Sequence, residues 1–173
     1  YVNDRNDSSF KFLHKDYLSP IWENRPALPT APAFLVSEDV VGQSVSEKLT
    51  SVRAQMQKLH TDFHLISSLD DLAWLFNIRG ADVSFNPVVL SFALISATQA
   101  TLYIQPDKLT EADKLSLSKN GVQLLAYDTI AKDLQYLPAE SAILIDPKRN
   151  CFALYKLIPH SVKQVFETNP TTH

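Results

Sequence analysis

From Gln43 onward the hydrophobic positions switch between two periods. Val45, Leu49, Val52, Met56 and Leu59 recur at spacings of 4, 3, 4 and 3, the stripe of an amphipathic helix. Ser44 and Glu47 ahead of it have the spacing of a capping box. "FHLIS" then reads as a short strand. Ser68 with Asp71 offers a cap for a second helix with Leu69, Leu72, Ala73 and Phe76 inward. After a polar loop, "VVLSFALIS" and "ATLYIQ" are apolar β-rich runs around Thr98 and Gln99, a hairpin buried on both faces. Downstream, "TEADKLSLSKNG" predicts a helix with a Thr110/Asp113 cap and a left-handed stop at Gly121. "VQLLAY" reads as a strand, "DTIAKDLQYL" as a helix, "SAILID" as a strand, "CFALYKLI" as a short helix and "SVKQVFET" as a last strand. Strand and helix alternate around one hairpin, which predicts an α/β fold: a three-layer domain with a mixed β-sheet flanked by helices.

The start of the chain has another pattern. Pro20, Pro26, Pro29 and Pro32 fall within 13 residues, and each removes a backbone donor and fixes φ. Residues 1–40 therefore read as a Pro-rich inter-domain linker in which Trp22 packs against a domain, and residues 41–173 as the α/β domain.

Composition narrows the function classes. With 173 residues, 45% hydrophobic and 20% charged, the chain is that of a folded domain and not a disordered one. A net charge of −3 and the lack of a Lys/Arg cluster argue against nucleic acid. Val88–Ala97, the longest apolar run, has half the roughly 20 residues needed to span a membrane. One cysteine, Cys151, allows neither an internal disulfide nor an all-cysteine metal site, and fits a reducing, cytoplasmic setting. Three glycines exclude a glycine-rich phosphate loop.

Local chemistry is sparse. His60 and His64 stand four apart around Asp62, but the segment crosses from helix to strand, so polar residues at an element junction explain it. Cys151 has no nearby base and reads as a small buried hydrophobe. Asp70 and Asp71 fall in a first helical turn, where the helix dipole accounts for them. The loop from Arg79 to Pro87 has two readings. As a corner, Arg79 caps the preceding helix or pairs with Asp82, Gly80 supplies a positive φ, and Asn86-Pro87 forces an extended lead into the strand. As a site, Arg79 holds a carboxylate or a neighbouring domain.

"SLDDLAWLFNIRGADVSFNPVVLSFALI" resembles the middle domain of three-domain Xaa-Pro aminopeptidases, members of the creatinase/prolidase-like metallopeptidases. Ala73, Trp74, Leu75, Asn77, Arg79, Gly80, Asp82, Val83, Asn86, Pro87 and Val88 carry the likeness. Trp22, Arg25 and Pro26 resemble that family's inter-domain connector, and Lys48, Arg53 and Met56 its first helix in this domain. The resemblance runs from about residue 20 to the end and is specific over residues 68–96.

The implied fold is that of creatinase/prolidase N-terminal domains, in agreement with the pattern. The implied catalysis belongs to a C-terminal pita-bread domain, where two Asp, one His and two Glu hold two divalent metal ions, usually manganese. Nothing in this chain resembles that domain, so no catalytic residue and no metal ligand or cofactor is expected here. The expectation is a non-catalytic middle domain that shapes substrate access and inter-domain or dimer packing. Its implied partners are its own catalytic C-terminal domain, short proline-containing peptides and a second copy of the chain, without nucleic acid or membrane. Arg79 and Asp82 fix the shape of a loop that, with Asn86, faces the catalytic domain or the peptide entrance. The alternatives are a protein-interaction domain of a catalytically dead peptidase-like scaffold and a free-standing α/β binding module.

Overall fold

A computed structural model describes residues 17–172. The strands are β1 (Phe34–Leu35), β2 (Phe63–Ile66), β3 (Ile78–Arg79), β4 (Ser91–Ser96), β5 (Ala100–Ile104), β6 (Val122–Leu125), β7 (Ala142–Ile145) and β8 (Lys163–Phe166). The helices are α1 (Glu38–Val41), α2 (Val45–Lys58), α3 (Leu69–Leu75), α4 (Glu111–Lys119), α5 (Ile130–Gln135) and α6 (Phe152–Tyr155). Six strands form one sheet in the order β6-β5-β4-β2-β7-β8. The β4–β5 hairpin is antiparallel and β4 also runs antiparallel to β2, while β6 lies parallel to β5, and β7 and β8 continue parallel to β2. The mixed three-layer α/β architecture follows.

Alternation along the strands divides the core. Ile66, Ala93, Ile95, Leu102 and Leu144 point to one face and pack with Leu49, Val52, Leu72, Leu75 and Leu117 of α2, α3 and α4. Leu65, Tyr103, Ile143 and Ile145 point to the other and pack with Ile130 and Leu134 of α5 and Leu154 of α6. The Ser44–Glu47 capping box forms as expected: the Ser44 hydroxyl accepts from the Glu47 N–H while the Glu47 carboxylate takes the Ser44 N–H. The Thr110 cap and the left-handed Gly121, φ 76°, also form. Ser68 occupies the N-cap position of α3 without a side-chain capping bond; its hydroxyl faces the Arg149 guanidinium instead.

The chain joins the domain before residue 41. Ala33 is buried in the core, its N–H donates to the Lys108 carbonyl, and β1 pairs antiparallel with β3. A short extended run after the prolines is suited to this two-residue ribbon, which pattern reading did not separate from linker. Trp22 does not pack into this domain: it is 54% exposed and stacks with the Arg25 guanidinium at 5.7 Å. Residues 1–16 of the expected linker lie outside the described residues.

Candidate functional site

The loop that follows α3 is built from the helix end outward. The last carbonyls of a helix lack partners, and two cations supply them here. Arg79 donates through Nη1 to the carbonyls of Ala73 at 2.6 Å and Ile78 at 2.9 Å. Lys48, reaching from α2, donates to the Trp74 carbonyl at 2.9 Å and to Asn77 Oδ1 at 2.6 Å, with its ammonium 4.7 Å from the Trp74 ring centre. Burial, with the Arg79 charge adding to it, holds the Lys48 ammonium below the usual lysine range. Asn77, at φ 53°, makes the left-handed turn that ends the helix. Its amide nitrogen donates to the Gln43 carbonyl and its own carbonyl takes the Val36 N–H, so one residue joins α2, α3 and β1.

Two details of the expected corner change. Gly80 does not supply the positive φ, which falls to Asn77. Glycine is needed at 80 for close approach, because a Cβ there would lie 2.6 Å from Val89 Cγ2. Asp82 does not pair with Arg79. Its carboxylate takes the Leu90 N–H at 2.8 Å and the Lys108 ammonium at 2.5 Å, in a pair whose side chains are 1% and 2% exposed. Lys108 also donates to the Ala31 carbonyl at 3.3 Å, so this pair ties the loop to the extended segment ahead of β1.

The rest of the loop points outward. The Asn86 N–H donates to the Val83 carbonyl, closing a four-residue turn. Phe85 occupies its third position at φ 64°, and of the turn's two central residues only it has a positive φ. That is a type II arrangement, which favours Gly or Asn at this place. Phe85 is nevertheless fully exposed, at 108%. The Asn86 side chain reaches Asp70 Oδ1 at a long 3.4 Å. Of the three residues singled out from sequence, Arg79 and Asp82 are therefore turned into the fold and Asn86 is at its surface. Phe85 escaped sequence reading because neither its turn position nor its exposure leaves a local signal.

A second polar cluster lies at the opposite end of α3. Asp71 is buried, and its Oδ2 accepts from Asn169 Nδ2 at 2.6 Å and from Arg149 Nη1 at 3.1 Å. Asp146 Oδ2 accepts the Asn169 N–H at 3.0 Å, and its Oδ1 the Lys148 N–H at 2.9 Å. The helix dipole alone does not account for Asp71, which is the partner of two groups from distant segments. His64 stands nearby on β2, 0% exposed. Its Nδ1 lies 3.2 Å from the Leu144 carbonyl, which can only accept, so Nδ1 carries the proton and Nε2 is a bare, unpartnered acceptor. Burial pushes its pKa down to about 4, against the opposing pull of the Leu144 bond and the Asp71 and Asp146 charges.

The "HTDFH" segment does not make a metal site. His60 sits at a left-handed turn, the Asp62 carboxylate takes the Ala142 N–H at 2.8 Å, and His64 is sealed in the core. Among the described residues no group of three or more His, Cys, Asp or Glu side chains is placed to hold a metal ion. The two-metal chemistry implied by the resemblance thus finds no fitting donor set among the described residues. Cys151 is exposed where it precedes α6, so it is not the small buried hydrophobe that a lone cysteine more often is.

Comparison with known proteins agrees with this geometry. The chain is 35% identical over 137 residues to a probable Xaa-Pro aminopeptidase P of Sordaria macrospora, a stretch covering 79% of this chain and 22% of that protein. It spans about a fifth of the length of the curated relatives it matches. Its structure superposes with a TM-score of 0.81 and 22% identity on X-prolyl aminopeptidase from Caenorhabditis elegans, described as a cytosolic enzyme with a di-nuclear active site, over 90% of this chain and 26% of that one. The N-terminal domain of cytoplasmic peptidase PepQ from Mycobacterium tuberculosis H37Rv shares the fold at a TM-score of 0.53 and 15% identity, over 73% of this chain and 96% of that one. With residues 24–173 matching it throughout, the chain belongs to the Creatinase/Prolidase N-terminal domain family.

Proposed function

We propose that this chain is the non-catalytic domain of an Xaa-Pro aminopeptidase, the enzyme class that releases an N-terminal residue ahead of proline. The observation that carries the proposal is the family match over residues 24–173, together with a stretch of 137 residues that covers 22% of an aminopeptidase relative. In this reading the chemistry lies in a pita-bread domain elsewhere in the intact polypeptide, with two divalent metal ions, manganese, bound there. The Pro-rich stretch connects this domain to an upstream one. The loop held by Arg79 and Asp82 faces the catalytic domain or the peptide entrance and presents Asn86 to it. The domain would narrow access to short proline-containing peptides, contribute to a homodimer and work in the cytoplasm.

The test is made on the intact polypeptide. Metal analysis should return two manganese ions per chain, and X-Pro peptides should be cleaved ahead of proline. Arg79→Ala, which uncaps α3, should cost about 1.5–3 kcal/mol of domain stability and lower kcat/KM. If kcat/KM and Tm both stayed at wild-type values, the assignment of the loop would be wrong.

A further inference from the structure

The placement of Phe85 is not explained by the fold. A large aromatic ring stands fully in solvent, at 108% exposure, at a left-handed turn position, φ 64°. Both features disfavour it, since the turn would form more readily with Gly or Asn. The base beneath it is rigid: the buried Asp82–Lys108 pair, the Asp82–Leu90 bond and the Asn86–Val83 bond fix both ends of the turn. Val83, 38% exposed, broadens the apolar tip. An exposed aromatic on a preorganised base has the form of an interface anchor.

We infer that Phe85 inserts into an apolar pocket of the catalytic domain that follows this domain in the intact polypeptide; the inference rests on the function proposed above. Two observations choose this occupant. The matched stretch is 22% of an aminopeptidase relative, so most of such a polypeptide lies outside this fold. In the function proposed above the catalytic domain follows this one, and the last described residues then lead towards it from beside the Phe85 turn. Asn169 Nδ2 donates to Asp71 at 2.6 Å, and Asn86 Nδ2 reaches Asp70 at 3.4 Å. Asp70 and Asp71 are neighbours in the first turn of α3, so the Phe85 turn and the outgoing backbone flank one helical turn. A domain tethered there meets the ring at high effective concentration.

The experiment compares wild type, Phe85→Ser and Phe85→Leu in the intact polypeptide. Unfolding is followed by calorimetry, the segment after His173 is probed by limited proteolysis, and mass in solution and X-Pro peptide hydrolysis are measured alongside. Losing the buried ring should shift the docked-to-free equilibrium roughly ten- to hundredfold. Phe85→Ser should therefore divide one unfolding transition into two and speed cleavage after His173 by roughly tenfold or more. Phe85→Leu should keep most of the coupling. Unchanged unfolding and proteolysis in Phe85→Ser would overturn the inference. A change in KM alone would overturn it in favour of a peptide contact, and loss of a dimer in favour of a second copy. If the wild-type polypeptide cleaved no X-Pro peptide, the aminopeptidase reading would fall; unfolding and proteolysis would still decide the anchor, because they require only a second domain.

Discussion

The two ends of α3 solve the same problem with different means. At its C-terminal end, carbonyls without helical partners are met by Arg79, six residues on from Ala73, and by Lys48, 26 residues before Trp74. At its N-terminal end, Asp71 is met by Arg149 and Asn169, 78 and 98 residues further along. Both ends bury charge and both satisfy it with hydrogen bonds, as burial demands. The first closes a local corner and shapes a loop. The second fastens the last described segment onto the front of the same helix. One seven-residue helix thus has a loop-forming end and a chain-anchoring end.

The largest effect is expected on the loop-forming side. Lys108→Met leaves the Asp82 carboxylate buried beside one N–H and no cation. Breaking a buried pair in this way costs about 3–5 kcal/mol, while removing both charges costs far less. Lys108→Met should lower Tm by roughly 10 °C, and Asp82→Asn combined with Lys108→Met should recover most of the loss. If the double variant were no more stable than Lys108→Met alone, the pair would not be what holds this side together.

On the chain-anchoring side, the sharper test is pH. His64 has its folded pKa lowered from 6.5 to about 4 by burial. Below pH 6.5 the unfolded chain takes up a proton that the folded chain refuses until about pH 4. Stability from this group is therefore fully present above pH 6.5 and falls as pH drops to about 4, by roughly 3 kcal/mol over the window. His64→Asn keeps a donor for the Leu144 carbonyl and cannot titrate. Urea midpoints of wild type and His64→Asn, taken from pH 7.5 to 4, should converge as the pH falls. Parallel curves would show that His64 is not a buried neutral group.

The same contrast explains what the sequence made legible. The α2 stripe, the hairpin, the Thr110 cap and the alternation of strand and helix are set by contacts a few residues apart, and all are found. Arg79 as a helix cap is equally local. Lys48 lies on the buried face of α2, and a lysine among Val45, Leu49 and Val52 leaves no periodic signal for its burial. Asp82 turned to Lys108 instead of Arg79, because a buried carboxylate is satisfied by whichever ammonium the tertiary fold delivers. Asp71 looked like a dipole partner because Asn169 and Arg149 come from segments that periodicity cannot bring together. β1, two residues long, is too short to carry an alternation at all.

The smallest effect separates stability from use. Phe85 adopts a left-handed φ that asparagine tolerates far better than an aromatic residue. Its ring buries nothing within this domain, so its removal forfeits no packing here. Taken by itself, this domain should therefore be stabilised by Phe85→Asn by about 0.5–1 kcal/mol, raising its Tm by roughly 1–4 °C. The contrast with Lys108 is the informative part. Around Asp82 any change loosens the fold, whereas three residues further along the favourable change is to discard the native side chain. A domain that keeps a strained, solvent-exposed ring on so firmly held a base keeps it for a contact outside itself. A fall in the Tm of the domain by itself on Phe85→Asn would mean instead that the ring supports its own turn, and the distinction between a holding base and a presenting tip would collapse.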